Sequence, residues 1–329
     1  MEKNWIKIQD HGFQPDEILP DHYVLGGLGS DKIPDEIINP SRDWRDKLPS
    51  FIDIQFQNGL ETMNCAIYGT ENGIQIYEKT KYGDDQDYSE RFVGIGAETA
   101  PAGNSPHKVC EWIRHNGLIK GELLPFSKDI NTWREYYSPK PLTQTLLDEG
   151  KKWLIPKIFK HTWVFQGGSL AGKQAALWKA LQMCAPGVSV VAWKMRNGKY
   201  YKNTGERDNH WVTLVYGEWG KRWIILDHYD NILKELEWNY DFGFAKRYYV
   251  KKNQREALPI KKKLMVKTNA DGYLRSDLKK IELPAGSEIS EEDMFSNWIP
   301  WNFIVETKAE DLSFIELLKA IISKLFGKK

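Results

Sequence analysis

The chain has 329 residues, 41% of them apolar and 13% aromatic, enough to bury one large core or two moderate ones. Its 46 basic and 45 acidic residues balance to a formal net charge of +1, which argues against the broad basic excess of a general nucleic-acid binder. Three cysteines are too few for a disulfide framework, no residue spacing suits a metal, the first ten residues lack the apolar core of a signal peptide, and no run of 18 apolar residues offers a membrane-spanning helix.

Residues 1 to 40, with Gly26-Gly27-Leu28-Gly29 and Pro20, Pro34 and Pro40, read as extended chain and turns with little core of their own. No Gly-Lys-Ser/Thr follows the glycines, so a phosphate loop is excluded. The segment is expected to be an arm wrapped on the domain that follows. Next comes the stretch from Gln55 to Gly69, which sets an amide side chain a few residues ahead of Cys65, where a Gly-broken loop gives way to a helix predicted over Cys65 to Lys79. A thiol must be partly ionised to attack a carbonyl, and a helix start together with a nearby imidazolium lowers its pKa. The attacked carbonyl becomes an oxyanion, for which a Gln amide and the backbone N–H of the cysteine are two donors. Against this stands the plain alternative that a single cysteine is more often a small buried apolar residue. Gly69 and Gly73 weaken the helix by about 1 kcal/mol each, a loss that close packing against another part of the chain would explain.

Ser105-Pro106 through Asn116-Gly117 is a well-marked helix, with Ser as cap, Pro in the first turn and Gly at the end. His107 and His115 lie on it without a third ligand nearby and read as capping or surface residues. Residues 131 to 166 are Trp- and Lys-rich, broken at Ser138-Pro139-Lys140-Pro141, and read as a connector. Lys173 to Cys184 reads as a helix, and Val188 to Met195 as a strand turned by Asn197-Gly198 into Lys199 to Lys202. Cys110 and Cys184 sit in apolar helix-like runs and read as buried thiols.

From Asp208 to Tyr229 the pattern is two apolar strands around Glu218-Trp219-Gly220-Lys221, with His210 heading the first and Asp227 closing the second. An antiparallel pair brings these ends together, and a carboxylate beside an imidazole fixes its tautomer and steadies the imidazolium. His228 is the rival base. Asp208 is the rival carboxylate, but it is adjacent to His210 in a loop and badly placed to hold the far ring nitrogen. No Gly-x-Ser-x-Gly elbow supports serine chemistry, whereas paired carboxylates of the glycosidase kind stay open. The Lys and Arg cluster from Lys246 to Lys263 reads as a solvated face.

Downstream, Pro259 to Pro284 reads as a small β element with Asn269-Ala270-Asp271-Gly272 as a turn, and Trp298-Ile299-Pro300-Trp301 as an aromatic knot packed on the preceding domain. Ser313 and Glu316 form a capping box, and residues 313 to 326 carry an apolar helical stripe against Lys319, Ser323 and Lys324. At roughly 14 residues, about 21 Å, this helix is too short to span a bilayer. Three occupants compete for its stripe: its own domain, another subunit, and a membrane surface, the last not favoured.

Several of these blocks, in this order, resemble the papain-like cysteine peptidases. Asp43-Trp44-Arg45 with Leu48-Pro49 resembles the opening of that family's mature domain, and Gln57 to Cys65 its oxyanion-glutamine to nucleophile segment. Gly103-Asn104-Ser105-Pro106 is similar to its substrate-holding loop and Ala185 to Val190 to the strand entering its second lobe. His210 to Val215 and Trp223 to Asp227 are similar to its base and orienter strands, and the hairpin continuing from His210 favours that histidine over His228. The likeness spans about residues 40 to 250. Met63-Asn64-Cys65-Ala66 replaces the usual Gly-Ser-Cys-Trp, the glutamine lies two residues further from the cysteine, and Asp227 stands for the usual asparagine. Among members it looks most like the divergent domains encoded by tailed bacteriophages.

The resemblance implies an α+β, papain-like two-lobed fold, a helical lobe and an antiparallel β lobe, over residues 41–255. An arm at 1–40, a small β-rich extension at 256–310 and an amphipathic helix at 311–329 would flank it. It implies hydrolysis of peptide, isopeptide or amide bonds in a protein or peptide substrate, without a cofactor. Cys65 would attack, His210 would carry the proton, Asp227 would orient it, Gln57 with the Cys65 amide would hold the oxyanion, and Gly103 and Asn104 would pair with substrate backbone. Gln55 is the fallback donor. Two alternatives use the same fold: a catalytically silent structural or adaptor protein of a phage particle, assembling through helix 313–326, and an amidase or transglutaminase. Secreted members of the family carry several disulfides and a long helical pro-segment. Three cysteines therefore fit a reducing compartment, the host cytoplasm or a virion, and residues 1 to 40, short and not helical, fit an arm better than such a pro-segment.

Overall fold

The computed structural model describes residues 12–15, 33–51, 53–230 and 232–252 in full, and beyond them only the backbone of short strands between 264 and 301. The chain divides into two compact units, Met1–Glu256 and Ala257–Lys329.

In the first unit a hairpin of β1 (Phe56–Gln57) and β2 (Leu60–Glu61) leads into α1 (Cys65–Tyr82), α2 (Glu90–Gly96), α3 (Pro106–Asn116), α4 (Trp133–Tyr136) and α5 (Gln144–Leu154). Then follow β3 (Lys157–Gln166), α6 (Leu170–Ala180), β4 (Gly187–Val190), β5 (Met195–Arg196), β6 (Lys199–Tyr200), β7 (His210–Glu218), β8 (Arg222–Asp227), β9 (Ile232–Glu237) and β10 (Phe244–Lys252). The local signals explain most of these. Asn58 and Gly59 both take positive φ, as the tight β1–β2 turn demands. Ser89, Ser105, Thr132, Thr143 and Ser169 each accept a backbone N–H at a helix start.

Strands β3 to β10 form one eight-stranded sheet in the order β3-β10-β4-β7-β8-β9-β6-β5, antiparallel except where β6 meets β9. Helix α1 lies on it. A Cβ at Gly69 would stand 2.8 Å from the Trp211 ring on β7, and one at Gly73 2.6 Å from Tyr248 on β10, so the two glycines that weaken the helix let it approach the sheet. One apolar cluster joins α6 to the middle of the sheet through Leu177, Leu181, Val188, Leu214 and Trp223; another gathers α1, α2, α3 and α5 around Ile67, Phe92, Val109 and Tyr248. Trp44 ties the entering chain to the first cluster: it is fully buried, its backbone N–H bonds Val215 and its ring N–H donates to the Leu181 carbonyl at 2.8 Å.

Four expectations need correcting. The connector at 131–166 contains two helices and an edge strand, because β3 pairs with β10 along its whole length. The strand expected from Val188 to Met195 stops at Val190, and residues 195–200 form a separate β5–β6 hairpin. Lys246 and Arg247 are no solvated face: Lys246 packs 3.8 Å over the Trp163 ring, and Arg247 reaches Asp35 and the carbonyls of Ile33 and Pro34, fastening residues 33–35 to β10. In the second unit, Ala270–Leu274 is no turn but β12, the middle strand between β13 (Lys280–Leu283) and β15 (Trp298–Trp301); β11 (Leu264–Met265) pairs with β14 (Glu288–Ile289). Pairing on both edges overrides the turn propensity of Asp-Gly. The amphipathic helix expected at 313–326 lies outside the described residues. Among those residues no helix is long and apolar enough to cross a membrane.

Candidate active site

Cys65 is the first residue of α1 and is fully buried. The loop before it is wound tightly. Met63 sits at φ 58°, a left-handed conformation that costs a side-chain-bearing residue about 1 kcal/mol or more. Hydrogen bonds hold it there. Glu61 accepts the Met63 N–H at 2.8 Å, Trp133 donates to the Glu61 carbonyl at 3.1 Å, and the Tyr137 hydroxyl lies 2.6 Å from both the Thr62 carbonyl and Asn64 Oδ1. The sulfur packs among Phe13, Trp163 and Trp211. Burial pushes the thiol well above its ordinary value; the Trp211 and Ala66 N–H groups pull it down, and Glu61 and Asp227 add to the rise.

The residue expected as the base lies on the sheet. His210 begins β7, beside Val190 of β4, and Asp227 ends β8. Both are fully buried, and His210 Nε2 lies 2.9 Å from Asp227 Oδ1. Asp227 has two further partners: the Tyr229 backbone N–H at 3.1 Å on Oδ1, and the Lys234 ammonium at 2.7 Å on Oδ2. Burial alone would raise the Asp227 carboxyl, but His210, His228 and Lys234 more than offset it and hold it well below the usual range.

The rival residues have other positions. His228 is buried, stacked on Tyr68 with ring centroids 5.2 Å apart, and its Nε2 bonds Gln55 Oε1 at 3.1 Å. Burial, with His210 beside it, takes His228 down to about 3. Asp208 bonds Ser189, Lys202 and the Gly243 N–H. Cys110 and Cys184 are buried in the apolar cluster around α3.

The two glutamines part company. Gln57, the amide expected at the oxyanion, is half-buried on β1 and donates to the Ile54 carbonyl at 2.7 Å. Gln55 is fully buried: its backbone N–H bonds the His228 carbonyl at 3.0 Å and its side chain spans from His228 to the Glu61 carboxylate. Gly103 and Asn104 meet neither histidine; they meet the arm. Phe13 pairs with Asn104 as a parallel bridge, the Asn104 N–H bonds the Gly12 carbonyl at 2.9 Å, and the Gln14 N–H bonds the Asn104 carbonyl at 3.0 Å. A Cβ at Gly103 would stand 1.8 Å from the Gly12 oxygen, and one at Gly12 2.3 Å from the Met63 oxygen, so the arm threads a gap that only glycine allows. Phe13 then stacks on Trp211 with ring centroids 5.6 Å apart.

Sequence reasoning missed Lys234, Glu61 and the Gly12-Phe13 contact. Lys234 left one trace, since it shares a strand face with the buried Leu236. Among the described residues one cluster of three potential metal donors exists, His210, Asp227 and His228. Lys234 and Gln55 already engage Asp227 Oδ2 and His228 Nε2.

No protein-family model and no curated protein matches the sequence. Among solved structures, xylellain, a cysteine protease from Xylella fastidiosa, superposes with a TM-score of 0.51 at 15% identity, over 74% of this chain and 96% of that one. Digestive procathepsin L 3 of the Tenebrio molitor larval midgut aligns at a TM-score of 0.46 and 15% identity, over 67% of this chain and 71% of that one. Bromelain from Ananas comosus, in complex with the E64 inhibitor, aligns at 0.44 and 17%, over 64% and 98%. The chain has an α+β, papain-like two-lobed fold.

Proposed function

We propose that this protein is a cysteine peptidase that hydrolyses peptide or isopeptide bonds through Cys65, His210 and Asp227. The observation that carries the reading is the buried 2.9 Å bond to Asp227 from Nε2 of His210, on a strand that packs against the helix starting at Cys65, whose side chain clusters with Trp211, the residue after His210. In this reading His210 Nδ1 takes the thiol proton, the thiolate attacks the scissile carbonyl, and the oxyanion accepts from the Cys65 N–H and from Gln55. Gln55 gives one amide hydrogen to Glu61 and has a second for the oxyanion. The imidazolium then protonates the leaving amine, and a water deprotonated by His210 releases the acyl group. Gly103 and Asn104 supply the edge for substrate backbone, an edge the arm now occupies, so substrate must displace Gly12 to Gln14.

Cleavage of unfolded casein by purified protein, lost in Cys65→Ala and retained in Cys110→Ala and Cys184→Ala, tests the reading; activity that survives Cys65→Ala ends it. The covered, raised thiol is the one observation that favours a silent assembly protein of a phage particle instead. Under that alternative Cys65 alkylates no faster than the other two thiols even after the arm is removed. Amine incorporation assayed beside hydrolysis separates a transglutaminase.

A further inference from the structure

Lys234 comes from β9, opposite Ile225 of β8, and is 3% exposed. Its ammonium lies between the carboxylates of Asp227 and Asp230, 5.3 Å from the Trp193 ring centroid and 5.9 Å from that of Tyr200. Trp193 in turn stands edge-on to His210 at 5.8 Å. An ammonium this deep is expensive to bury, and the chain places it on the one carboxylate that orients the base. Burial pulls Lys234 down, yet Asp227 and Asp230 leave it raised, so it stays charged.

We propose that Lys234 is a positioning residue that cancels the charge of Asp227, so that the orienter of His210 acts as a nearly neutral hydrogen-bond acceptor. The inference rests on the peptidase reading and deepens it. A bare carboxylate 2.9 Å from the ring would favour an imidazolium and at the same time repel a thiolate, loading the pocket with one net negative charge. With the ammonium 2.7 Å from the other oxygen, Asp227 still aligns the ring through one lone pair, and the buried Asp227–Lys234 pair is net neutral, the Asp230 carboxylate on the same ammonium being 43% exposed and screened by water. The Lys234 and Tyr229 bonds also stop the carboxylate from rotating. The charged and titratable groups facing this centre are Asp227, His228 and Tyr229 at the end of β8, Lys234 on β9 with Asp230 before it, Cys65 on α1 and Glu61 on β2. Of these, Lys234 alone is a fixed cation.

The test uses full-length protein and three variants: Lys234→Met, Lys234→Arg, and Lys234→Met combined with Asp227→Asn. Removing the cation strengthens proton binding throughout the pocket. Both limbs of the pH profile for Cys65 alkylation by iodoacetamide therefore move to higher pH by about one unit in Lys234→Met. They stay in place in Lys234→Arg and return to within about 0.3 unit of wild type in the double variant, where both charges are gone. The His210 ring resonances, followed by NMR, move with the profile. A Lys234→Met protein with uniformly slower alkylation and unmoved limbs shows Lys234 to be structural and overturns the proposal. Should Lys234→Met fail to fold, the double variant decides: limbs displaced by about one unit there refute charge cancellation. Because the NMR titration needs no reactive thiol, a shifted His210 beside an inert Cys65 keeps this inference and removes the peptidase reading, while an unshifted His210 beside a reactive Cys65 does the reverse.

Discussion

On the sheet side of the site, His210, Asp227 and Lys234 are buried in a chain of bonds of 2.7 to 2.9 Å. On the helix side, Cys65 is buried among Phe13, Trp163 and Trp211, where burial pushes its thiol up. The base half is bound into strands β7, β8 and β9 and can open only when the sheet does. The cover of the thiol half includes Phe13, a short stretch of arm held by two backbone bonds to Asn104. The described part of the arm, Gly12 to Gln14, adds the Gln14 side-chain bond to the Ala102 carbonyl and the Phe13 stack on Trp211, but none of the long ladders that hold core strands, which open at higher free energy. The difference teaches that the His210–Asp227–Lys234 chain is set by strand pairing, while the cover of the sulfur includes a segment that belongs to no strand of the sheet.

The largest expected effect breaks the comparison outright. Cys65→Ala abolishes proteolysis, by at least about a thousandfold, while the fold and the His210–Asp227 bond persist. Asp227→Ala comes next and acts on the other half. It leaves the Lys234 ammonium buried beside only Asp230, and urea unfolding should show a loss of about 3–5 kcal/mol. Cys65→Ala, by contrast, removes a single sulfur and should cost about 1 kcal/mol. Equal stability losses in the two variants would show that the halves are not built differently.

How much of this was legible beforehand follows the same division. The start of α1 at Cys65 and the meeting of His210 with Asp227 could be read because their signals are local: a Gly-broken loop before a helix, and two apolar strands around a tight turn. Sequence reasoning prefers Gln57 with Gln55 as fallback, and their surroundings could not be told apart in sequence, because the two share a strand parity and Gln55 meets His228, 173 residues away, while Gln57 bonds the Ile54 carbonyl. Lys246 sits in a cluster that reads as a solvated face and Lys234 draws no reading; their burial comes from strand order, which composition does not carry. The passage of Gly12 between Met63 and Gly103 was not legible, because it needs Gly12 to meet backbone from two distant loops.

A smaller effect sharpens the contrast by loosening the helix side alone. Gly103→Ala places a methyl 1.8 Å from the Gly12 oxygen and strains a backbone at φ 99°, so the arm lifts while β7, β8 and β9 are untouched. Alkylation of Cys65 by iodoacetamide should rise about tenfold, the population shift given by about 1.4 kcal/mol, with Cys110 and Cys184 unchanged. A rise shared by all three thiols would mean general loosening and would remove the arm from the account.

The smallest effect concerns acid stability and asks which half governs it. Burial takes His228 down to about 3 with His210 beside it, and takes His161 on β3 down to about 3 with Lys246 beside it. In the unfolded chain both protonate near about 6.5. Between these values the unfolded state binds more protons, so stability is full above about pH 6.5 and falls as the pH drops toward 3. Asp227, held low in the fold, adds to the loss below about pH 4. His228→Gln and His161→Gln should each flatten the plot of unfolding free energy against pH from 4 to 6 by up to about one proton, about 1.4 kcal/mol per pH unit. The thiol side contributes nothing in this window, because Cys65 is protonated there in both states, and Cys65→Ala should leave the slope as it is. A slope that changes with Cys65→Ala would mean that the sulfur already shares a proton with the base while the arm is down, and the separation of a preset base from a covered nucleophile would fall.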